Sequence, residues 1–262
     1  MLKPRVCVLR SAGTNCDQET AEAFTLSGAA VELLHINRLT SAGRALDDFH
    51  ILALPGGFSY GDDIASGKIF ANELRFKLAD VLNKFIADGK LIIGICNGFQ
   101  ILVKSGLLPG MKSGGDNFKQ DTSLILNDSA KFEARWVYLK PDGNCVWTKG
   151  LKKIIYLPVA HGEGKFVVAD KDILNRLKKN RQIVFQYSDA QGKFSGYPDN
   201  PNGSLENIAG ITDSTGRILG LMPHPERHLL AVQHPRKEER FKPEGDGLQI
   251  FRNGVEYVKA NF

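Results

Sequence analysis

The sequence predicts an α/β protein, a doubly wound and mostly parallel sheet with antiparallel strands added to it. Three observations carry this prediction. Apolar runs rich in β-branched residues recur at 5–9, 49–54 and 91–95, and each reads as a strand covered on both faces. Helical patterns follow the first and third of these, as parallel strand–helix–strand units require. Loops of small residues leave the strands at their carboxyl ends, where such sheets bind ligands.

Arg5 to Leu9 is the first strand, and Ser11-Ala12-Gly13-Thr14-Asn15-Cys16-Asp17 is a small, polar loop. Asp17 or a neighbour caps a helix with Ala21, Phe24 and Leu26 apolar, which ends at Gly28. Ala30 to Leu34 completes a βαβ unit. Its loop lacks G-x-G-x-x-G, so no dinucleotide is expected, and Cys16 reads as structural. Phe49 to Leu54 runs into Pro55-Gly56-Gly57-Phe58-Ser59-Tyr60-Gly61-Asp62-Asp63. Glycines let main-chain N–H groups approach a ligand closely, so this is either an oxyanion-binding loop or a plain connection. No Gly-Lys-Ser/Thr follows it, which excludes a Walker loop. Asp62 and Asp63 read as solvated carboxylates. Ala71 to Ala87 reads as one amphipathic helix with Leu74, Leu78, Leu82 and Phe85 on its apolar face.

The chain is organised around Leu91-Ile92-Ile93-Gly94-Ile95-Cys96-Asn97-Gly98-Phe99-Gln100. A buried strand ends at Cys96, a helix begins directly after it, and glycines stand two residues to either side. This is the pattern of a nucleophile elbow with sulfur as nucleophile. The N-terminus of the following helix points at the sulfur and favours thiolate. The competing reading is a buried core cysteine.

Short alternating stretches follow, at Ser123–Leu126 and Phe132–Leu139, and are expected to add antiparallel strands to the core sheet. Turns at Lys112–Gly115 and 141–143 separate them, and the polar segment 111–122 is expected to be mobile. Ile154 to Val159 leads into Ala160-His161-Gly162-Glu163-Gly164. His161 and Glu163 are either acid–base groups or, the stronger reading, part of a turn whose backbone holds a ligand. Residues 170–181 form a basic amphipathic segment, Ile183 to Tyr187 is a strand, and 197–204 is a turn-forming loop. Ile208–Thr212 and Ile218–Met222 pair and deliver Pro223-His224-Pro225-Glu226-Arg227-His228. In an extended segment His224 and Glu226 point to the same side. A base beside its carboxylate orienter is the layout that activates a cysteine, against the alternative of a surface turn. Residues 233–247 read as an exposed charged loop, a lid or a partner contact, and Leu248 to Val258 as a closing helix.

The totals narrow the classes. A length of 262 residues admits one large α/β domain or two small ones. A net charge of +5, spread along the chain, is no nucleic-acid footprint. Four cysteines without close spacing give neither a metal site nor a disulfide framework. No apolar run reaches membrane-spanning length and no secretory h-region opens the chain, so a cytoplasmic location is expected.

Gly94-Ile95-Cys96-Asn97-Gly98-Phe99-Gln100, the Pro55-Gly56-Gly57 loop and His224-Pro225-Glu226 together resemble the class I glutamine amidotransferases. With Phe58-Ser59-Tyr60-Gly61-Asp62, Phe132-Glu133-x-Arg135-Trp136, His161-Gly162-Glu163-Gly164, 200–204 and Met222 to Arg227, nearly the whole chain is similar to the glutaminases of phosphoribosylformylglycinamidine synthase. The resemblance implies a single flavodoxin-like amidotransferase domain over 1–262. It implies a triad of Cys96, His224 and Glu226, and an oxyanion hole from the N–H groups of Gly57 and Asn97. Glutamine would be held by Gly56, Phe58, Gln100, His161, Gly162 and Glu163. It implies no cofactor and no metal in this chain, with ATP and magnesium on a partner synthetase. That partner, sometimes with a small third subunit, would receive ammonia for formylglycinamide ribonucleotide amidation. Rival readings are a flavodoxin-like thiol hydrolase or chaperone and a non-catalytic scaffold subunit. The first usually places His directly after the cysteine, where Asn97 stands. The second is opposed by three filled triad positions.

Overall fold

Strands β1 (Arg5–Arg10) and β2 (Ala30–His35) pair in parallel, joined by helix α1 (Asp17–Leu26), and a short helix α2 (Ile36–Thr40) follows. The computed structural model describes residues 3–40, 46–110, 118–236 and 243–262. The turn expected at Lys112–Gly115, much of segment 111–122 and the middle of loop 233–247 lie outside the described residues. Strand β3 (Ile51–Leu54) leads through the glycine loop to α3 (Lys68–Lys77) and α4 (Ala79–Ala87). Strand β4 (Leu91–Ile95) then runs into α5 (Asn97–Ser105). The second half carries β5 (Thr122–Ile125), β6 (Glu133–Pro141), β7 (Ile155–His161) and β8 (Lys165–Val168). After these come α6 (Lys171–Lys179), β9 (Ile183–Ser188), β10 (Ile208–Thr212), β11 (Ile218–Leu221) and α7 (Leu248–Asn261).

The main sheet has nine strands in the order β2-β1-β3-β4-β11-β10-β9-β6-β7. Neighbours from β2 to β11 are parallel, and those from β11 to β7 antiparallel. Helices cover the sheet on both sides. Every residue of β4 is buried, which is why its sequence is an unbroken apolar run rather than an alternation. Helix α5 lies against β3, β4 and β11, while α1 and α7 meet through Phe24 and Phe251, edge to face at 5.0 Å.

Two local expectations are corrected. The helix read over Ala71–Ala87 is two helices, because the backbone leaves helical geometry at Leu78 (φ −126°). The break lets α3 pack on α5 while α4 faces the turn at 46–48. The strand read at Ser123–Leu126 does not join the core sheet. As β5 it pairs with β8 in a separate ribbon, with buried Leu124 opposite buried Phe166. Phe166 in turn stacks on Phe99 of α5, so the ribbon covers the elbow helix.

Strand β7 ends the sheet, yet several of its outer main-chain groups are occupied. His224 N–H donates to Pro158 O at 2.8 Å, and Tyr156 N–H donates to the Asp246 carboxylate at 3.0 Å. His228 Nδ1 lies 2.8 Å from Tyr156 O.

Candidate active site

Cys96 sits between β4 and α5 with φ +52° and ψ −104°, a left-handed backbone that a non-glycine residue adopts only when its surroundings enforce it. The enforcement comes from close packing. A Cβ on Gly98 would lie 1.9 Å from Leu54 O, and one on Gly94 would lie 2.5 Å from Gly98 O. Larger residues at these positions would push helix and strands apart, which is the physical content of the small-x-Cys-x-small pattern. The first main-chain bond of α5 runs from Gln100 N–H to Cys96 O at 3.1 Å. The N–H groups of Asn97 and Gly98 therefore fall among the unpaired donors of a helix N-terminus. The Cys96 thiol donates to Ala160 O at 3.7 Å.

The base arrives on the neighbouring strand. β11 pairs with β4 in parallel, Leu221 opposite Ile95, so Met222-Pro223-His224 leaves the sheet beside the elbow. His224 Nδ1 is 2.6 Å from Glu226 Oε1. His224 Nε2 and Glu226 Oε2 are buried without a hydrogen-bond partner. Burial alone would lower the His224 pKa. The Glu226 charge opposes it, helped by the thiols of Cys96 and Cys16, and holds the ring well above its ordinary value.

A second cysteine belongs to this cluster: Cys16, read from the sequence as structural, lies beside the base, a place the sequence did not announce. Cys16 Sγ lies 4.0 Å from His224 Nδ1 and accepts from Arg227 Nη2 at 3.0 Å. Burial pushes its thiol pKa up, against the pull of His224. Gly56 is the hub: a Cβ there would lie 2.8 Å from His224 Cε1, 3.2 Å from Cys16 Sγ and 3.4 Å from Cys96 Cβ. The available signal was position, since Cys16 follows β1 at the same carboxyl edge as the other loops. Ligand atoms of Cys16, His224 and Glu226 lie within 4.8 Å of one another, a donor set a soft divalent ion accepts, although His224 and Glu226 already satisfy each other.

The loop at 55–60 lies against the loop at 11–16. Asn15 N–H donates to Gly56 O at 3.3 Å and Phe58 N–H to Gly13 O at 2.9 Å, a bridge that does not use the N–H of Gly57. Phe58 is 47% exposed at the rim. The Asn97 side chain ties this loop to the elbow, accepting from Ser59 N–H at 3.2 Å. Asp62 is corrected from a solvated carboxylate to a half-buried acceptor for two N–H donors.

His161 is buried, with Nδ1 3.1 Å from Asn127 Oδ1 and Nε2 3.4 Å from Asn202 Nδ2. Burial, then the charge of His224, lowers its pKa to about 4. A neutral ring held between two amides suits a structural post better than a proton shuttle. Gln100 Nε2 donates to Glu163 O at 2.6 Å, and its Oε1 accepts from Asn97 Nδ2 at 2.9 Å. The structure thus brings Gln100, Gly162 and Glu163 beside the elbow, with the Gln100 amide engaged by the protein itself.

A family model described as the CobB/CobQ-like glutamine amidotransferase domain matches residues 3–258. The phosphoribosylformylglycinamidine synthase subunit PurQ of Dehalococcoides mccartyi is 50% identical over 264 residues, covering 99% of each chain. That of Methanococcus maripaludis is 46% identical over 270 residues, covering 97% of each. Among solved structures, a chain of PurLQS from Thermotoga maritima superposes with a TM-score of 0.72 at 34% identity, covering 98% of this chain and 100% of that one.

Proposed function

The chain belongs to the CobB/CobQ-like glutamine amidotransferase family, and from that premise we propose that it is the glutaminase subunit of a phosphoribosylformylglycinamidine synthase. It hydrolyses glutamine to glutamate and ammonia and supplies the ammonia to a synthetase subunit for a step of purine synthesis. ATP and magnesium act on the synthetase, a small third subunit accompanies it in some assemblies, and the complex works in the cytoplasm. No helix among the described residues is long and apolar enough to cross a membrane. Residues 1–262 act as one amidotransferase unit.

The observation that supports the reading is the neighbouring position of Cys96, at the strained end of β4, and the buried His224–Glu226 pair at the end of adjacent β11, on either side of Gly56. His224 Nε2 takes the Cys96 proton and the sulfur attacks the side-chain amide carbon of glutamine. The N–H groups of Gly57 and Asn97 stabilise the oxyanion, worth about 3 kcal/mol each. His224 returns the proton to the departing ammonia. Water then cleaves the γ-glutamyl thioester, activated by the same ring. Gly56 leaves room beside the reacting atoms, Phe58 flanks them, and the 161–163 turn with Gln100 shapes the glutamine pocket.

The test is glutamate release by the wild-type chain and Cys96→Ala, each alone and with the cognate synthetase, ATP and formylglycinamide ribonucleotide. Cys96-dependent release is expected, with ammonia-supported synthesis retained in the variant. Release unaffected by the substitution would overturn the nucleophile, and none in the complete mixture would overturn the glutaminase.

A further inference from the structure

The glycine loop contains a run of left-handed backbone that begins three residues after Gly57. Tyr60 (φ 55°), Gly61 (φ 70°) and Asp62 (φ 55°) follow one another there, and two of the three carry side chains. Such a run persists only where its surroundings over-determine it. Main-chain bonds hold one side of it, Tyr60 N–H donating to Ala12 O at 2.8 Å and Gly61 N–H to Phe58 O at 2.9 Å, and the Tyr60 hydroxyl donates to Glu73. The bonds that join it to the elbow helix and to α3 run through two side chains. Asp62 Oδ1 accepts from Gly67 N–H, which opens α3, and from Asn97 Nδ2, both at 3.1 Å. Asn97 Oδ1 accepts from Ser59 N–H at 3.2 Å. One carboxylate and one amide therefore clamp both ends of the segment 59–62 to the elbow helix.

The clamp continues into the turn at 161–164. Asn97 Nδ2 also reaches Gln100 Oε1, and Gln100 Nε2 reaches Glu163 O. On the other side, Lys104 Nζ donates to Ser66 O at 2.6 Å and lies 3.5 Å from Glu163 Oε2. Lys104 is buried, and Ser66 N–H points at the same Glu163 oxygen at 3.4 Å. The contacts close a ring through the glycine loop, the start of α3, the elbow helix and the glutamine-side turn.

We propose that Asp62 and the side chain of Asn97 are positioning residues that set the oxyanion hole, holding the Gly57 N–H at the right place relative to the Asn97 N–H. The inference rests on the glutaminase reading above. The two donors belong to different segments, one on a strained loop and one on a helix, and only their relative placement makes a hole. A donor displaced by an ångström fails the oxyanion while leaving the pocket for the ground state nearly intact. The ring also ties this placement to the turn that shapes the glutamine pocket.

The test uses the full chain assembled with its cognate synthetase and follows glutamate release. Asp62→Ala and Asn97→Ala are each expected to lower kcat at least tenfold with KM for glutamine changed less than threefold. Asn97→Ala keeps its main-chain N–H, so a loss of kcat at little-changed KM acts through the clamp and not through its contact with Gln100 in the glutamine pocket. Asp62→Asn keeps an acceptor oxygen and is expected to retain at least a third of wild-type kcat. The double variant is expected to lose no more than the worse single one, because both break the same clamp. Alkylation of Cys96 by iodoacetamide needs no oxyanion hole and is expected to stay within twofold of wild type. A kcat within threefold of wild type in both single variants would overturn the proposal. So would additive losses, or a parallel fall in alkylation and turnover. A wild-type complex that releases no glutamate would instead overturn the underlying glutaminase reading.

Discussion

Glu226 Oε1 lies 2.6 Å from His224 Nδ1, and both residues are almost wholly excluded from solvent. A carboxylate in that position fixes the ring and favours its protonated form. Glu226→Gln keeps the shape and removes the charge. It is expected to lower kcat for glutamate release by roughly a hundredfold or more, and to bring the His224 pKa down. Initial rates across pH, compared with wild type, check both.

The same pair gives a stability signature. The folded-state pKa of His224 is raised, so its contribution is fully present below the unfolded value of about 6.5. It is lost as pH rises through the raised folded value. The melting-temperature gap between wild type and Glu226→Gln should therefore be widest near neutral pH and below, and narrow on the alkaline side.

His161 has the opposite sign. Its folded pKa of about 4 lies below the unfolded value, so the unfolded chain binds the extra proton between them. Stability is expected to fall as pH drops from about 6.5 towards 4, by roughly 3 kcal/mol at the low end. Urea unfolding at pH 7 and pH 4.5 should show this slope in wild type and a flatter one in His161→Gln.

Gly98→Ala places a methyl 1.9 Å from Leu54 O, where only main chain can yield. The expected cost is roughly 3 kcal/mol, the upper range for overpacking. A lowered urea midpoint at unchanged m-value checks it.

Cys16 accepts a bond from Arg227 beside the base. Cys16→Ala leaves that donor to solvent, since Arg227 is only half-buried, and is expected to cost about 1 kcal/mol. Cys16→Ser, which restores an acceptor, should cost less in the same unfolding experiment.

Legibility followed range. The β4 run and the glycines around Cys96 are written in adjacent residues, and the structure places both as read. His224 and Glu226 do meet, but across a tight helical turn at Pro225–Arg227 and not along the extended segment expected. Asp62 is misread, and the neighbours of Cys16 are not foreseen, because the partners of these residues, Asn97, His224 and Arg227, are distant in sequence. Alternation at 123–126 marks a strand and not its partner, so β5 was assigned to the wrong sheet. The break at Leu78 left no trace because leucine is a strong helix former, and packing decided the matter.

Strand β7 would be an open template for another chain, were several of its outer groups not taken up. Pro158 O is bound by the backbone of His224, Ala160 O by Cys96, and Tyr156 by Asp246 and His228. The machinery of the reaction is thus also a guard against self-association. A molecule that fails to seat the 224–228 segment loses turnover and bares a sticky margin in one event. Inactive preparations should then be found in the pellet rather than in the supernatant.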